Sequence, residues 1–264
     1  MARNHKGTKK QRNAALAKLV CGVSLCLCAF VVPVDAQDAA ARIKAAQYAL
    51  GMIRGPQRID AINTMEYWGT ANLAATYHVS LSYLTPAMRL DITQGNPSVR
   101  RIYVVNGNFA WDESVPGAGF IPGTTVTPAP AAVKNRLLDL WSTPHGALKA
   151  AEQAAGNAKV TNENGANVIT FPLPGPLAGT TMKVTLNAKD QVEKVETVAG
   201  ATVIQTTYSD YNDLSEIKSD VQFPSHIAQK RGGTTLDITI PKTDTNNPYV
   251  VFPVPENVEK SQRD

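Results

Sequence analysis

Apolar positions along the chain follow two different periods. Ala39, Ile43, Ala46, Leu50 and Ile53 recur at steps of four and three, with Arg42, Lys44 and Gln47 off the stripe. That spacing gives one apolar helix face, and Gly55-Pro56 stops it. A strand over residues 62–70 follows, carrying Tyr67 and Trp68. The period then shortens to two. Tyr77, Val79, Leu81 and Tyr83 alternate with His78, Ser80 and Ser82, and Met88, Leu90 and Ile92 alternate with Arg89, Asp91 and Thr93. These read as antiparallel strands with one face buried and one wet. Residues 101–105 and 109–113 flank Asn106-Gly107, a strong hairpin signal.

A Pro/Gly-rich loop over residues 116–130 leads out of this run. Val133, Leu137, Leu140 and Trp141 then follow helical spacing. Thr143-Pro144 restarts a helix, with Thr as N-cap and Pro at the first helical position. Ala147, Leu148, Ala151 and Ala155 line one side of it, and Gly156 ends it. Strands return at 168–171, 182–186, 192–198 and 203–208. Residues 208–240 read as a strand ending in an acidic, aromatic corner, a Pro-marked edge, and a hairpin closed by Arg231-Gly232-Gly233. After Asn246, Pro248, Pro253 and Pro255 keep a tail out of any sheet. Helix, strands, helices, strands is an α+β order, not the alternation of a parallel sheet.

Composition changes the picture mainly at the N-terminus. Arg3, Lys6, Lys9, Lys10, Arg12 and Lys18 precede an apolar run over residues 19–32 and then Val34-Asp35-Ala36. This is the order of a secretory signal peptide, with cleavage expected near Ala36; an uncleaved anchor is the alternative. The run is shorter than the roughly 20 residues of a membrane span. The whole chain has 26 Lys+Arg and 22 Asp+Glu, but residues 1–36 hold six of the bases and one acid. The remainder is left with 20 against 21, net −1. The basic excess therefore belongs to the leader, and nothing supports a nucleic-acid partner. Cys21, Cys26 and Cys28 all lie in the leader, so the rest of the chain must hold together by its core. The expected division is a signal peptide at 1–36, an α+β domain at 37–246 and a Pro-containing tail at 247–264. The product is expected to be periplasmic or secreted, without a stable transmembrane span.

Candidate chemistry is sparse. His78, His145 and His226 are far apart and never in a ligand spacing. His78 falls on the polar side of its strand, and His145 in Thr-Pro-His-Gly has the place of a residue that bonds nearby backbone. His226 follows Phe-Pro-Ser on an expected edge strand with no evident carboxylate partner. Asp210, Asp213, Glu216 and Asp220 lack the alternating oxygens, central Gly and terminal Glu of a calcium loop. They fit a turn whose carboxylates bond local backbone. Asp112-Glu113 point to opposite faces of one strand, which does not suit paired glycosidase carboxylates. There is no Gly-x-Ser-x-Gly elbow. No catalytic residue, metal ligand or cofactor site is assigned, and an enzyme would need a cleft gathering Arg101, Asp112 and His145. Tyr83, Met88, Leu90, Phe109, Trp111, Leu140, Trp141 and Leu148 are expected to face one another between sheet and inserted helices. A closed core accounts for most of them by type, with the lining of a residual cavity as the alternative.

The order of elements, closing in a Asp-Tyr…Phe-Pro…Ile hairpin, resembles the LolA-like half-barrel of lipoprotein carriers. Residues 104–113 (VVNGNFAWDE), 136–151 (RLLDLWSTPHGALKAA) and the YSDYNDL…VQFPSHIAQKRGG stretch are similar to the region preceding the hydrolase in certain exported metallo-β-lactamase-fold proteins. The zinc-binding HxHxDH motif of those hydrolases is absent, and the chain stops where that domain would begin, so no metal chemistry carries over. The resemblance implies a strongly curved, unclosed antiparallel sheet wrapping an N-terminal helix and two inserted helices. It also implies a non-catalytic role: binding a lipid or lipoprotein acyl chain between sheet and helices, or, alternatively, docking a protein partner as an accessory module.

Overall fold

Side-chain alternation decides which face of each strand meets the helices, and the helices pack where that face is apolar. A computed structural model describes residues 34–55, 59–72, 75–199 and 202–263. The basic lead and apolar run of the expected signal peptide lie outside the described residues. Helix α1 (Val34–Ala49) buries Ala39, Ile43 and Ala46. It ends earlier than the stripe suggested. Gly51 takes a left-handed φ of 67°, and a Cβ there would lie 2.1 Å from the Asp220 carbonyl oxygen, so the chain turns. Ile53 opens β1 (Ile53–Arg54), which pairs with β2 (Ile59–Asp60).

A meander follows: β3 (Thr64–Ala71), β4 (Ala75–Ser82), β5 (Ala87–Gln94), β6 (Val99–Asn106) and β7 (Phe109–Glu113). Gly107, at a φ of 55°, makes the expected tight turn between the last two. Inside the Pro/Gly loop lies a strand that periodicity did not announce, β8 (Val126–Pro128), paired to β7. Helices α2 (Val133–Trp141) and α3 (Pro144–Gln153) then cross the sheet. The second meander comprises β9 (Lys159–Glu163), β10 (Ala166–Pro172), β11 (Thr181–Leu186), β12 (Val192–Ala199), β13 (Thr202–Asn212), β14 (Phe223–Arg231) and β15 (Thr234–Thr245). Helix α4 (Glu256–Arg263) closes the described chain.

Among the described residues, thirteen strands form one antiparallel sheet ordered β8-β7-β6-β5-β4-β3-β15-β14-β13-β12-β11-β10-β9. The fold is α+β, a curved, unclosed half-barrel around the helices. Its two meanders join only at β3–β15, where Met65 pairs Thr245 and Tyr67 pairs Thr243. One expectation fails here. The strand after Phe223-Pro224 is interior, not an edge, lying between β13 and β15. Pro224 is tolerated because pairing with β15 begins only at His226, so its missing N–H interrupts no ladder on that side.

The inner face carries the main core, in which α1, α2 and α3 pack on strand residues such as Met65, Leu81, Phe171, Val184 and Ile240. A second, smaller cluster covers the outer face of β5–β7. There Ile102, Val104 and Trp111 pack against Val250 and Phe252 of the segment after β15 and Val258 of α4. Asn246 and Asn247 fasten that segment: Asn63 donates to the Asn246 side chain at 2.8 Å, and Asn247 donates to Glu66 at 2.6 Å. None of the described helices is long and apolar enough to cross a membrane.

Candidate functional site

The elbow between α2 and α3 is held over the middle of the sheet by hydroxyls. Thr143 has extended backbone and its Oγ1 accepts from Gly146 N at 3.2 Å, the N-cap expected from Thr-Pro. The same oxygen donates to the Leu140 carbonyl at 2.8 Å and meets the Tyr83 hydroxyl at 3.0 Å. Tyr208 of β13 donates to the Ser142 carbonyl. Gly146 is required here, because a Cβ would come within 2.6 Å of the Leu140 oxygen. Tyr208 of the sheet and Tyr83 of the turn after β4 thus anchor adjacent residues of one elbow.

Beneath this elbow the inner face keeps a cavity of about 100 Å³. Val79, Met88, Leu90, Ile227 and Ile238 supply its apolar wall, and Tyr67, Tyr208, Asp139, Thr206 and Gln229 its polar one. Asp139 projects from α2 to Arg231, 2.5 Å away. Burial raises its carboxyl above the usual range, and the Arg231 charge only partly opposes this. Burial likewise raises the Tyr67 and Tyr208 phenols, which stay protonated at neutral pH. A second pocket of about 240 Å³ lies on the other side of α2, among Leu137, Trp141, Ala150, Leu173 and Leu177. A third, a groove of about 640 Å³, runs along the outer segment past Asn247, Val250 and Phe252, with Leu84 and Val251 on its rim.

The eight apolar residues singled out in the sequence divide among these places. Met88 and Leu90 line the inner cavity, and Trp141 lines the second pocket. Tyr83, Leu140 and Leu148 are buried in the main core without lining either space. Phe109 and Trp111 do not face the helices at all; they belong to the outer cluster with Phe252. Alternation explains this: on β7, Ala110 and Asp112 take the inner face, and Asp112 accepts from Arg136 of α2. Glu113, beside Trp111 on the outer face, takes Arg89 and the Trp111 indole. Tyr67, Tyr208 and Asp139 were missed. The tyrosines were readable as same-face partners of Met65 and Ile204, whereas nothing in the pattern marks Asp139.

The histidines are scattered as expected, but two have different surroundings. His226 does have a carboxylate, Asp237 on the neighbouring strand. Ser209 stands 3.5 Å from its other nitrogen but donates to Asp210 at 2.9 Å, so no serine–histidine relay forms on this open face. His145 is wholly buried, stacked on Phe223 at 5.8 Å, and neither ring nitrogen makes a hydrogen bond of normal geometry. It therefore caps nothing. His78 sits on the outer face, bonding Glu66 at 3.0 Å and stacking on Trp68; that bond leads the effects lowering the Glu66 carboxyl. In the acidic loop, burial opposes ionisation of Asp213, but bonds from Ser215, Ser219 and Asp220 prevail and lower its carboxyl. It organises the loop backbone. Among the described residues no three His, Cys, Asp or Glu side chains gather as a metal group.

Sheet, elbow and cavity define an α+β half-barrel with a small amphiphilic chamber on its inner face. No family model matches the sequence, and no curated protein matches it. Solved structures do. A LolA superfamily protein, NE2245 from Nitrosomonas europaea, is 11% identical over 81% of this chain and 94% of its own, with a TM-score of 0.45. LprF from Mycobacterium bovis is 11% identical over 83% of this chain and 97% of its own, with a TM-score of 0.32. The half-barrel description rests on strand order and register, independently of these likenesses.

Proposed function

We propose that this protein is an exported, non-catalytic half-barrel that binds an apolar ligand, a lipid or acyl chain, between its sheet and the α2–α3 elbow. The observation that carries this reading is the space left beneath the elbow, on the inner face that carries the main core. At about 100 Å³ the chamber is smaller than the roughly 300–1,000 Å³ of a formed ligand site. Occupation by a full chain therefore requires α2 to shift, joining this chamber to the 240 Å³ pocket on its other side. Burial of each CH₂ contributes about 0.8 kcal/mol, so a medium-length chain offsets a local rearrangement of this kind. Native mass spectrometry of the purified protein incubated with mixed lipids tests the reading: bound lipid mass is expected, and a protein that stays empty at every lipid concentration rules it out. Export is tested separately by N-terminal sequencing of the extracytoplasmic protein, expected to start at Gln37.

The outer groove favours a second reading, docking of a protein partner in the manner of an accessory module. Leu84 and Val251, which line it, are 72% and 63% exposed. If docking is the function, Leu84→Glu with Val251→Glu abolishes partner capture and leaves lipid uptake untouched.

A further inference from the structure

The wall of the inner cavity is polar on one side in a way that the core does not need. Tyr67 is 9% exposed and lines the cavity, yet its hydroxyl makes no hydrogen bond among the described residues; its ring simply packs on Phe223 at 5.1 Å. The hydroxyl is not sealed among the orphaned polar atoms of the core; it stays accessible beside the cavity and is free to take a partner there. Tyr208, on the same wall, already spends its proton on the Ser142 carbonyl. Asp139 lines the cavity as well, and its charge acts on Tyr67. The charges around this wall balance: Asp139 is paired to Arg231, with Arg136 also acting on it. An anionic ligand group would meet the Asp139 carboxylate, and a cationic one would find that carboxylate already paired to Arg231.

Resting on the apolar-ligand reading, we propose that the ligand carries a neutral hydroxyl or amide group that accepts from the Tyr67 hydroxyl and donates to the Asp139 carboxylate, and that charged head groups are disfavoured. Both bonds form in a space walled elsewhere by Met88, Leu90 and Ile238. A neutral donor–acceptor group takes both bonds without bringing a second charge out of water.

Three probes of one chain length, 1-dodecanol, dodecanoate and dodecylamine, separate the possibilities when titrated into the whole protein by calorimetry. Dodecanol is expected to bind about tenfold tighter than either charged probe, a difference on the scale of one buried hydrogen bond. Tyr67→Phe is expected to remove that advantage while leaving the melting temperature unchanged or raised, because the hydroxyl has no partner in the free protein. Dodecanol binding no tighter than dodecanoate, or binding Tyr67→Phe as well as the native protein, overturns the head-group inference and leaves apolar binding standing. Uptake of none of the three overturns both.

Discussion

His145 stands wholly buried at the second position of α3, and the consequence is a stability that depends on pH. Burial first, and then the Lys149 charge, push its imidazole down to about 3, against a smaller opposing pull from the Leu50 carbonyl. The unfolded chain takes up a proton near the ordinary value of about 6.5, whereas the folded chain does not. Stability contributed by this residue is therefore full above pH 6.5 and is lost on acidification, at about 1.4 kcal/mol per pH unit until it levels near pH 3. His145→Leu is expected to flatten the difference between pH 7 and pH 4 in urea unfolding, and at pH 7 to be as stable as the native protein or more so. An unchanged acid slope would show that other groups carry it. At Gly146 the argument is steric: Gly146→Ala places a carbon against the Leu140 oxygen and should cost about 1–3 kcal/mol, read as a lower denaturant midpoint.

The elements show what a sequence does and does not reveal. Strands with one wet face were legible because Val79, Leu81 and Met88 alternate with polar residues, and the α2–α3 junction because Thr143-Pro144 is a capping pattern. What was not legible follows from the same physics. Strand β9 exposes nearly every residue, so it has no apolar period to read. The faces of β7 were assigned wrongly because Trp111 is apolar on a surface expected to be wet, and only the later segment with Phe252 explains why. Asp139 was invisible as a cavity residue, since a lone acid on an amphipathic helix reads as solvated until Arg231, 92 residues away, is brought beside it. At this scale the elbow is the element to test. Thr143→Val removes the cap to Gly146 and the Tyr83 contact together. The expected loss is about 1–2 kcal/mol, or roughly 2–8 °C of melting temperature for a chain of this size.

For the whole molecule, the outer segment and the joined meanders matter most. Phe252 is buried over the outer face with the Arg89 guanidinium 4.8 Å from its ring centre; Phe252→Ala should cost about 3 kcal/mol and expose Trp111, read as a red shift of tryptophan emission. The pairing of β3 with β15 has a consequence in time. Met65 waits for Thr245, roughly 180 residues later, and loop closure over such a distance makes folding slow. During synthesis, β3 has no partner on that side until nearly the last strand has emerged, so the seam at the middle of the sheet is among the last to form. A chain stopped after Arg231 would carry both meanders with their central edges open, and pulse proteolysis of such stalled chains is expected to find cleavage at β3 that disappears once residue 245 is added. A protein built this way stays unfinished until β15 has emerged, a useful delay for any chain that must cross a membrane before it folds.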